Sequence, residues 1–455
     1  MSDTAWSQPL RPQRLDALDC GLVVLFLVGL YLGVSIQITE KVPLTCAPSG
    51  LAGLWMLWRR RNEIRQSHLA GLLLVLLVYL GSILSAEDIN WLGKRTTGLL
   101  QLTYSLVIAY GMFLTLIRAD RSQVAAILLA FCLFIIAGCA LETWGGLRPI
   151  SDFVRGKLYN TAYVYDADLR DEMLYGRVRP KLFTSEPSAV TFAYTHCCAV
   201  WLAVSAWRYK YLAYVGLLGL AIVVLPGPTL MLMLLLATPY VMFLAGGERR
   251  TSPSRMIGAL VISCLVVVVA YVGGQMLFAE RLHALQAGKD ASFFYRFTGP
   301  MLVAFDMFKH HPWAGSGLTG EPYIADRVLD VFMNSASFQS AWPIPKVADA
   351  LTNYFWLHWI YLGAVWGVLV LVALTAMLRM LGAVSILYCW AVWTVLGQAS
   401  GSYVGPKTWA VLLIGAATTI LVTRSIEQRS LSPAAAAEPV LQRLRPRLGL
   451  VEDPA

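Results

Sequence analysis

The sequence is short of charged residues. Asp, Glu, Lys and Arg together make up 14% of its 455 residues, whereas soluble domains carry about 25%. Hydrophobic residues account for 57% of the chain. They recur in apolar runs of ~20 residues, the length at which a helix crosses a bilayer. This composition excludes an ordinary soluble enzyme and predicts a polytopic membrane protein.

Several motifs with well-understood chemistry are also missing. The 8 cysteines include no Cys-x-x-Cys pair and most stand in apolar runs, which argues against a zinc site or a disulfide framework. No His-Glu-x-x-His motif, Walker phosphate loop or nucleophile elbow occurs. No convincing repeat suggests an inverted-repeat transporter. The net charge of +9 forms no continuous basic stripe with interleaved aromatics, so we expect no nucleic-acid binding.

The apolar runs predict twelve membrane spans. They lie near residues 19–38, 42–58, 68–86, 98–117, 123–143, 189–207, 211–225, 229–246, 256–278, 352–379, 383–399 and 408–423. The second span is weak because it contains Pro43 and Pro48, and the seventh is separated from the eighth only by Pro226-Gly227-Pro228, a strong turn signal. No cleavage site follows the polar N-terminal segment, so the first span is expected to remain as an anchor.

Basic residues follow every even-numbered span. They are Arg59, Arg60, Arg61, Arg65, Arg118, Arg121, Arg208, Lys210, Arg249, Arg250, Arg255, Arg379, Arg424 and Arg429. Short cytoplasmic loops carry an excess of Lys and Arg, so we expect both termini inside and the long loops outside. The chain then divides into spans 1–5 (1–143), an outer loop (144–188), spans 6–9 (189–278), a second outer loop (279–351), spans 10–12 (352–423) and a disordered tail (424–455).

The first outer loop ends in a basic and then an acidic group. Arg177, Arg179 and Lys181 alternate, so an extended segment would place three cations on one face. Glu186 precedes Pro187-Ser188 at the start of span six, where a carboxylate is stabilised by the helix dipole. One interpretation is an anion-binding arginine beside a carboxylate. In the other, Glu186 only caps the helix and the cations pair with acidic residues of the same loop: Asp166, Asp168, Asp171 and Glu172.

The second outer loop supplies a helix with an arginine in its first turn. Ser292 is expected to cap a helix over 293–309, with Asp290 just before it and a kink at Pro300. Arg296 then lies near the membrane surface. It either snorkels to the interface or binds an anion such as a diphosphate, which the planar guanidinium suits.

Other polar residues of the second loop carry weaker signals. Arg281 is a further cation, and His311-Pro312 followed by Gly315-x-Gly317 ends the helix in a tight turn. A histidine beside proline is more often structural than catalytic. The carboxylate pairs Asp166-x-Asp168 and Glu87-Asp88 could bind a metal, but such pairs arise readily by chance, so we expect no metal site.

These segments resemble the O-antigen polymerase and O-antigen ligase superfamily of bacterial envelope glycosyltransferases. The pattern is Arg281…Asp290-x-Ser292-x-x-x-Arg296…His311-Pro312-x-x-Gly315-x-Gly317, followed by Asn353 and Gly363. Phe183-Thr-Ser-Glu186-Pro187-Ser188 is similar to the Phe…Glu-Pro-Ser element of many polymerases. The resemblance implies an all-α polytopic protein of the bacterial inner membrane, GT-C-like, with about a dozen transmembrane helices and two large periplasmic loops.

The family also implies a reaction and its participants. Donor and acceptor would be oligosaccharides on undecaprenyl diphosphate, within membrane lipid, with no cofactor and no required metal; a flippase and a chain-length regulator are implied partners. The diphosphate would be bound by Arg179, Arg281 and Arg296. The general base would be Glu186 or, second, His311. Supporting roles would fall to Arg177, Asp290, Ser292 and Asn353.

One departure from the family separates its two activities. Ligases carry a histidine directly before the asparagine, whereas Thr352 precedes Asn353 here. His358 stands nearly two helical turns further on and could not replace it without moving the site. This favours a repeat-unit polymerase for exopolysaccharide or O-antigen. A ligase or protein O-oligosaccharyltransferase, and a transporter of lipid-linked glycans, stay open as alternatives.

Overall fold

The computed structural model describes residues 13–39, 42–160, 164–245, 290–339 and 346–424, together with short pieces between 257 and 272. Arg281, most of the ninth predicted span and the tail from residue 425 lie outside the described residues. In the described part the protein is helical, apart from one two-stranded hairpin. Six of its helices are long and apolar enough to cross a membrane, as expected for a helical membrane protein.

Helices follow one another along the described chain. They are α1 Ala17–Leu32, α2 Ala47–Arg59, α3 Gln66–Leu84, α4 Leu92–Arg118, α5 Arg121–Trp144, α6 Arg148–Leu158, α7 Asp168–Tyr175, α8 Pro187–Val204, α9 Lys210–Val224 and α10 Met231–Phe243. After residue 290 come α11 (Ala291–Phe293, then the π-helical Phe294–Thr298, then Gly299–His310), α12 Ala325–Met333, α13 Val347–Ala350, α14 Tyr354–Met380, α15 Ile386–Gly397 and α16 Pro406–Arg424. The hairpin pairs β1 Ile36–Thr39 with β2 Val42–Leu44. Short 3₁₀ turns occupy Arg61–Glu63, Ile89–Trp91, Pro228–Leu230 and Glu321–Ile324.

Helices of the described chain coincide in sequence with eleven of the predicted spans, with corrections at their ends, but only six of them have the length and composition to cross a membrane. The predicted break at Pro226-Gly227-Pro228 is confirmed, because α9 and α10 are separate. The predicted start of the second span is wrong: Val42–Leu44 form a strand, and α2 begins only at Ala47. Pro43 pairs with Gln37 in the hairpin. Pro48 stands in the first turn of α2, where its missing N–H has no helical partner to lose.

Both predicted outer loops contain helices of their own. The first holds α6 and α7, and the second holds α11, α12 and α13. Ser292 is not the cap of α11. The side chain of Asp290 accepts a hydrogen bond from the amide of Phe293 at 3.2 Å, since an N-cap reaches the amide two or three residues ahead. A π-helical turn directly precedes Pro300, the position where a kink is predicted, and such turns accompany helix kinks.

The helix α3 exposes a stripe of apolar side chains on the surface of the bundle. On α3, Leu73, Leu77, Leu80 and Leu84 are 57%, 63%, 41% and 72% exposed. Their spacing of three to four residues puts them on one stripe of the helix. Large exposed apolar patches of this kind mark contact with a partner or with lipid, so the stripe agrees with a membrane-embedded helix.

The ends of the helices fall into two groups. At one end of the bundle, Arg59 after α2 pairs with Asp16 before α1 at 2.7 Å, and Arg118 at the end of α4 pairs with Glu63 at 2.8 Å. Arg424 at the end of α16 donates to two carbonyls at the end of α4, at 2.6 and 2.9 Å. The ends that the basic-residue pattern assigns to the cytoplasm therefore contact one another.

Candidate functional site

A cavity of about 640 Å³ opens at the opposite end of the bundle. Its lining comes from the end of α1, the starts of α2, α8, α11 and α16, the segment before α14, and the segment after α15. Backbone hydrogen bonds join some of these elements. The amide of Tyr354 in α14, for example, donates to the carbonyl of Ser400 after α15 at 2.8 Å. The two long outer segments of the sequence meet at this cavity.

Glu186 and Arg296 face each other at the wall of the cavity. The guanidinium Nη2 of Arg296 lies 3.3 Å from Oε2 of Glu186 and 3.4 Å from Oγ of Ser188. The two partners are 110 positions apart in the chain, and both line the cavity. Their side chains are 32% and 42% exposed because the cavity admits solvent. The carboxylate proposed as the general base and one arginine proposed for the diphosphate thus lie together, although they come from different loops.

The charges around Glu186 keep its carboxyl group ionised. Burial would raise the pKa of Glu186, but the positive charge of Arg296, the hydrogen bond of Ser188 and then the charges of Lys407 and Arg179 lower it below the ordinary value. A carboxylate with a lowered pKa is a good hydrogen-bond acceptor but a weak base. An anion that neutralised Arg296 would remove the largest lowering charge and strengthen the base.

A second, smaller cavity adjoins the same ion pair. It measures about 350 Å³ and shares Glu186 and Arg296 with the larger one. Apolar side chains line much of it: Leu174, Leu232, Leu235, Phe293 and Phe297. The ion pair therefore stands between a cavity with many hydroxyl groups and one with an apolar wall.

The carboxylate of Glu186 is available for this pairing because it does not cap the helix that follows it. Glu186 occupies the N-cap position of α8 with extended backbone angles, but its side chain makes no capping hydrogen bond. The interpretation that Glu186 only caps α8 is therefore wrong, because its carboxylate points to Arg296 instead. Upstream, Leu182 and Phe183 adopt φ of 33° and 66°, a region that side chains rarely enter. This turn redirects the chain into α8.

Two buried side chains hold that turn. Glu142 is 3% exposed, and its carboxylate accepts hydrogen bonds from the amide of Lys181 at 2.9 Å and from the amide of Leu182. Arg155 donates to the carbonyl of Thr184 at 2.8 Å and to that of Ser185 at 3.2 Å. Neither residue was singled out from the sequence for this role, because a lone carboxylate at the end of a span gives no sign of its partner.

The three alternating cations of the first outer loop do not share one face toward the cavity. Arg179 pairs with the fully buried Asp171 at 2.8 Å, and Lys181 pairs with Asp168 at 2.8 Å. Arg177 donates to the carbonyl of Val223. The prediction of a common cationic face is wrong, and the acidic partners proposed as the alternative are found for two of the three cations.

Arg179 nevertheless stays close to the site. It lines the smaller cavity and lies against two aromatic rings, with its guanidinium carbon 5.6 Å from the centre of Tyr165 and 4.9 Å from that of Tyr175. Burial would lower the pKa of Arg179, but the influence of Tyr175 and Asp171 raises it above the ordinary value. The charge is permanent, and Asp171 largely compensates it.

Asn353 holds the backbone of Arg296 in place by a hydrogen bond. It is fully buried, caps α14 by accepting from the amides of Phe355 and Trp356 at 3.1 and 3.2 Å, and donates to the backbone carbonyl of Arg296 at 2.9 Å. Thr352, the residue before Asn353, lines the larger cavity. Asn353 thus ties the turn that carries Arg296 to the start of α14.

Asp290 and Ser292 also lie at the site. Asp290 is buried, caps α11 and lies 3.6 Å from Arg170. Ser292 lines both cavities. Two of the predicted supporting residues are therefore next to the ion pair, whereas Arg177 contacts the end of α9.

His311 is not brought to the ion pair. It follows the last segment of α11, whose twelve residues span about 18 Å, and its Nδ1 lies 3.1 Å from Oε2 of Glu87. His358 lies in the interior, where it contacts the hydroxyl of Tyr403 at 2.8 Å and the carbonyl of Gly367 at 3.1 Å. Neither histidine lines either cavity.

Two glycines singled out from the sequence meet at a backbone junction. Gly315 and Gly363 have φ of 55° and 65°, and an added Cβ on Gly315 would lie 2.6 Å from the amide nitrogen of Gly363. The amides of Ser316 and Gly317 donate to carbonyls of α14 at 2.9 Å each. Buried Arg95 donates to the carbonyl of Ser316 at 3.1 and 3.0 Å. These positions anchor the outer segment to a break in α14.

Lys407 is a cation of the cavity that the sequence did not single out. It follows Gly405-Pro406 at the start of α16 and lines the larger cavity. A cation at the outer end of the last predicted span is the signal that could have identified it. Among the described residues, no group of three or more His, Cys, Asp or Glu side chains is placed to hold a metal ion. No family model, curated protein or solved structure matches the chain.

Proposed function

We propose that the protein is a glycosyltransferase of the bacterial inner membrane that joins undecaprenyl-diphosphate-linked oligosaccharide repeats into exopolysaccharide or O-antigen at the periplasmic face. The observation that carries the proposal is the Glu186–Arg296 pair between the two cavities. A lipid-linked glycan has an apolar chain, a diphosphate and a sugar. The apolar wall of the smaller cavity, the cation of the ion pair and the hydroxyl groups of the larger cavity suit these three parts in turn.

The residues of the pair suit the two charge movements of the reaction. A hydroxyl oxygen of the acceptor glycan attacks the anomeric carbon of the donor. The bond from that carbon to the diphosphate breaks, and its electron pair leaves with the lipid diphosphate. Arg296 would stabilise the charge on the leaving group, and Glu186 would accept the hydroxyl proton. Arg179 is a weaker candidate for the leaving group because Asp171 holds it; Arg281 keeps its proposed role as a prediction.

The grouping of helix ends supports a topology of twelve crossings with both termini inside. Arg59, Arg118 and Arg424, at ends assigned to the cytoplasm, make their contacts at one end of the bundle. Glu186 and Lys407, at ends assigned to the outer face, line one cavity at the other. The proposed reaction needs the pair on the periplasmic side, and this arrangement agrees with it.

Position 352 favours a polymerase over a ligase. The residue before Asn353 lines the larger cavity, so a ligase histidine there would reach the substrate. Thr352 offers a hydroxyl, which is no general base near neutral pH. His358 is engaged with Tyr403 and Gly367 and does not compensate. A transporter of lipid-linked glycans is the alternative that is not an enzyme. It would need no proton acceptor at the Glu186–Arg296 pair.

Profiling of lipid-linked intermediates tests the proposal. Arg296→Ala and Glu186→Ala are expected to reduce chain elongation by roughly 100-fold or more, as loss of one transition-state contact does, and single lipid-linked repeats should accumulate. Arg327→Ala and Glu172→Ala are matched controls, because Arg327 pairs with Asp306, Glu172 is exposed, and neither lines the two cavities.

The same profiling, together with a translocation assay in vesicles, separates the alternatives. Normal chain lengths in both folded site variants would contradict the proposal. Long chains left on the lipid carrier in a deletion strain would indicate a ligase instead. Purified protein that moves lipid-linked glycan across vesicles without elongating it would indicate a transporter.

A further inference from the structure

Lys407 carries the unbalanced charge of the larger cavity. The charged residues that line it are Arg170, Glu186, Arg296 and Lys407. Arg296 lies 3.3 Å from Glu186, and Arg170 lies 3.6 Å from Asp290. The side chain of Lys407 makes no hydrogen bond or ion pair with any residue that the structure describes. The excess positive charge of this lining therefore resides on its ammonium group.

The place of Lys407 in the fold adds to that charge. It stands in the first turn of α16, directly after Pro406, where the helix dipole is already positive and a cation is unfavourable. Its Nζ faces the end of α1, since an added Cβ on Gly33 would lie 3.3 Å away from it. A lysine held at the positive end of a helix and directed into a cavity has an anion as its complement.

Lys407 acts on the same carboxylate as Arg296. Its charge reaches Glu186, although the two cations belong to α16 and α11. An anion bound beside Glu186 would therefore experience both of them. Without Lys407, the cations near the pair are matched by carboxylates: Arg296 by Glu186, Arg170 by Asp290 and Arg179 by Asp171.

We infer that Lys407 binds a phosphate group of the lipid diphosphate, in the larger cavity beside Arg296. The inference rests on the proposed function, whose substrate carries this group. A diphosphate brings more than one negative charge, and the paired arginines leave little net charge to hold it. The ammonium of lysine binds phosphate as a compact charge with three donors. Lys407 then supplies the net attraction and Arg296 the directed contact.

Titration of the purified full-length protein with farnesyl diphosphate tests the inference. Lys407→Met, which keeps the length of the side chain, is expected to raise Kd at least about tenfold, the size of one charge-assisted hydrogen bond. Lys407→Arg should stay within about threefold of the native value. Lys309→Met is the matched control, because Lys309 is exposed at the far end of α11. An unchanged Kd in Lys407→Met would overturn the inference.

Two further arms identify the anion. Inorganic pyrophosphate should lose affinity in Lys407→Met as farnesyl diphosphate does. A loss seen only with glucuronate would overturn the inference and assign Lys407 to an acidic sugar. If Lys407→Met does not purify as a folded protein, Lys407→Gln is titrated under the same criteria.

The outcome is separable from that of the proposed function. Lost elongation in Arg296→Ala together with unchanged diphosphate binding in Lys407→Met would overturn this inference alone. Weakened diphosphate binding in Lys407→Met together with normal elongation in Arg296→Ala would support it and contradict the polymerase.

Discussion

Replacing Glu142 by alanine should release the turn that leads to Glu186. The carboxylate of Glu142 accepts from the amides of Lys181 and Leu182 and lies 3.2 Å from the hydroxyl of Ser151. Alanine would leave two buried amides without an acceptor. Each unsatisfied buried group costs about 1–3 kcal/mol, so the turn should lose roughly 2–6 kcal/mol.

The lost hydrogen bonds are comparable in energy to the backbone strain that they offset. The left-handed backbone of Leu182 and Phe183 itself costs about 1–3 kcal/mol per residue and persists only where its surroundings enforce it. Without Glu142 the turn is expected to relax toward ordinary backbone angles and to shift Glu186. The other clamp, Arg155, binds carbonyls nearer to α8 and cannot replace the lost acceptor, because a guanidinium only donates.

Hydrogen–deuterium exchange of the peptide covering residues 181–186 measures this effect. The lost stability corresponds to exchange faster by about 30-fold or more. Glu142→Gln keeps one acceptor oxygen and should give an intermediate rate. Glu172→Ala removes an exposed carboxylate of α7 and should leave the rate unchanged. Native exchange in a folded Glu142→Ala protein would refute the role given to this carboxylate.

Three further predictions concern stability. Asp171→Ala leaves the guanidinium of Arg179 without its buried partner and should lower the free energy of unfolding by roughly 3–5 kcal/mol; an unaltered denaturation midpoint would contradict this. Gly363→Ala adds a Cβ 2.7 Å from a carbonyl oxygen at φ +65° and should destabilise the protein more than Gly382→Ala, where φ is +82° but nothing lies within 4 Å; equal thermal midpoints would argue against a close backbone contact. The lowered pKa of Glu186 means that its ionised form stabilises the fold above the ordinary pKa of 4.5 and that this contribution is lost as pH falls through the lowered value. The difference in free energy of unfolding between the native protein and Glu186→Gln should therefore shrink on acidification. A difference that widens would show that the ionised carboxylate destabilises the fold, contrary to the prediction.

The positions of the apolar helices and the main ion pair could be predicted from the sequence. Runs of apolar residues report burial in lipid or protein directly, and basic residues at alternate ends report sidedness. Sidedness alone puts Glu186 and Arg296 on one face. Opposite charges on one face can pair, and the structure brings these two to 3.3 Å.

The partners of the remaining charges could not be predicted in the same way. The first outer loop offers several carboxylates within a few residues of Arg179 and Lys181, and which one pairs with which cation depends on how α7 packs. Lys407 escaped notice because it follows a short turn between two apolar runs. A short turn looks like a simple connection until the fold shows that it borders a cavity.

The family-like pattern separates into two physical kinds of residue, and only one kind bears on chemistry. Gly315 and Gly363 allow two backbones to touch, and His311 precedes that junction without reaching the ion pair. Such positions can be shared by proteins that have the same helix break but different substrates. Glu186 and Arg296 form an ion pair whose side chains stay partly exposed at the wall of both cavities. The pair, rather than the glycine motif, is therefore the part of the pattern that a ligand in either cavity can contact.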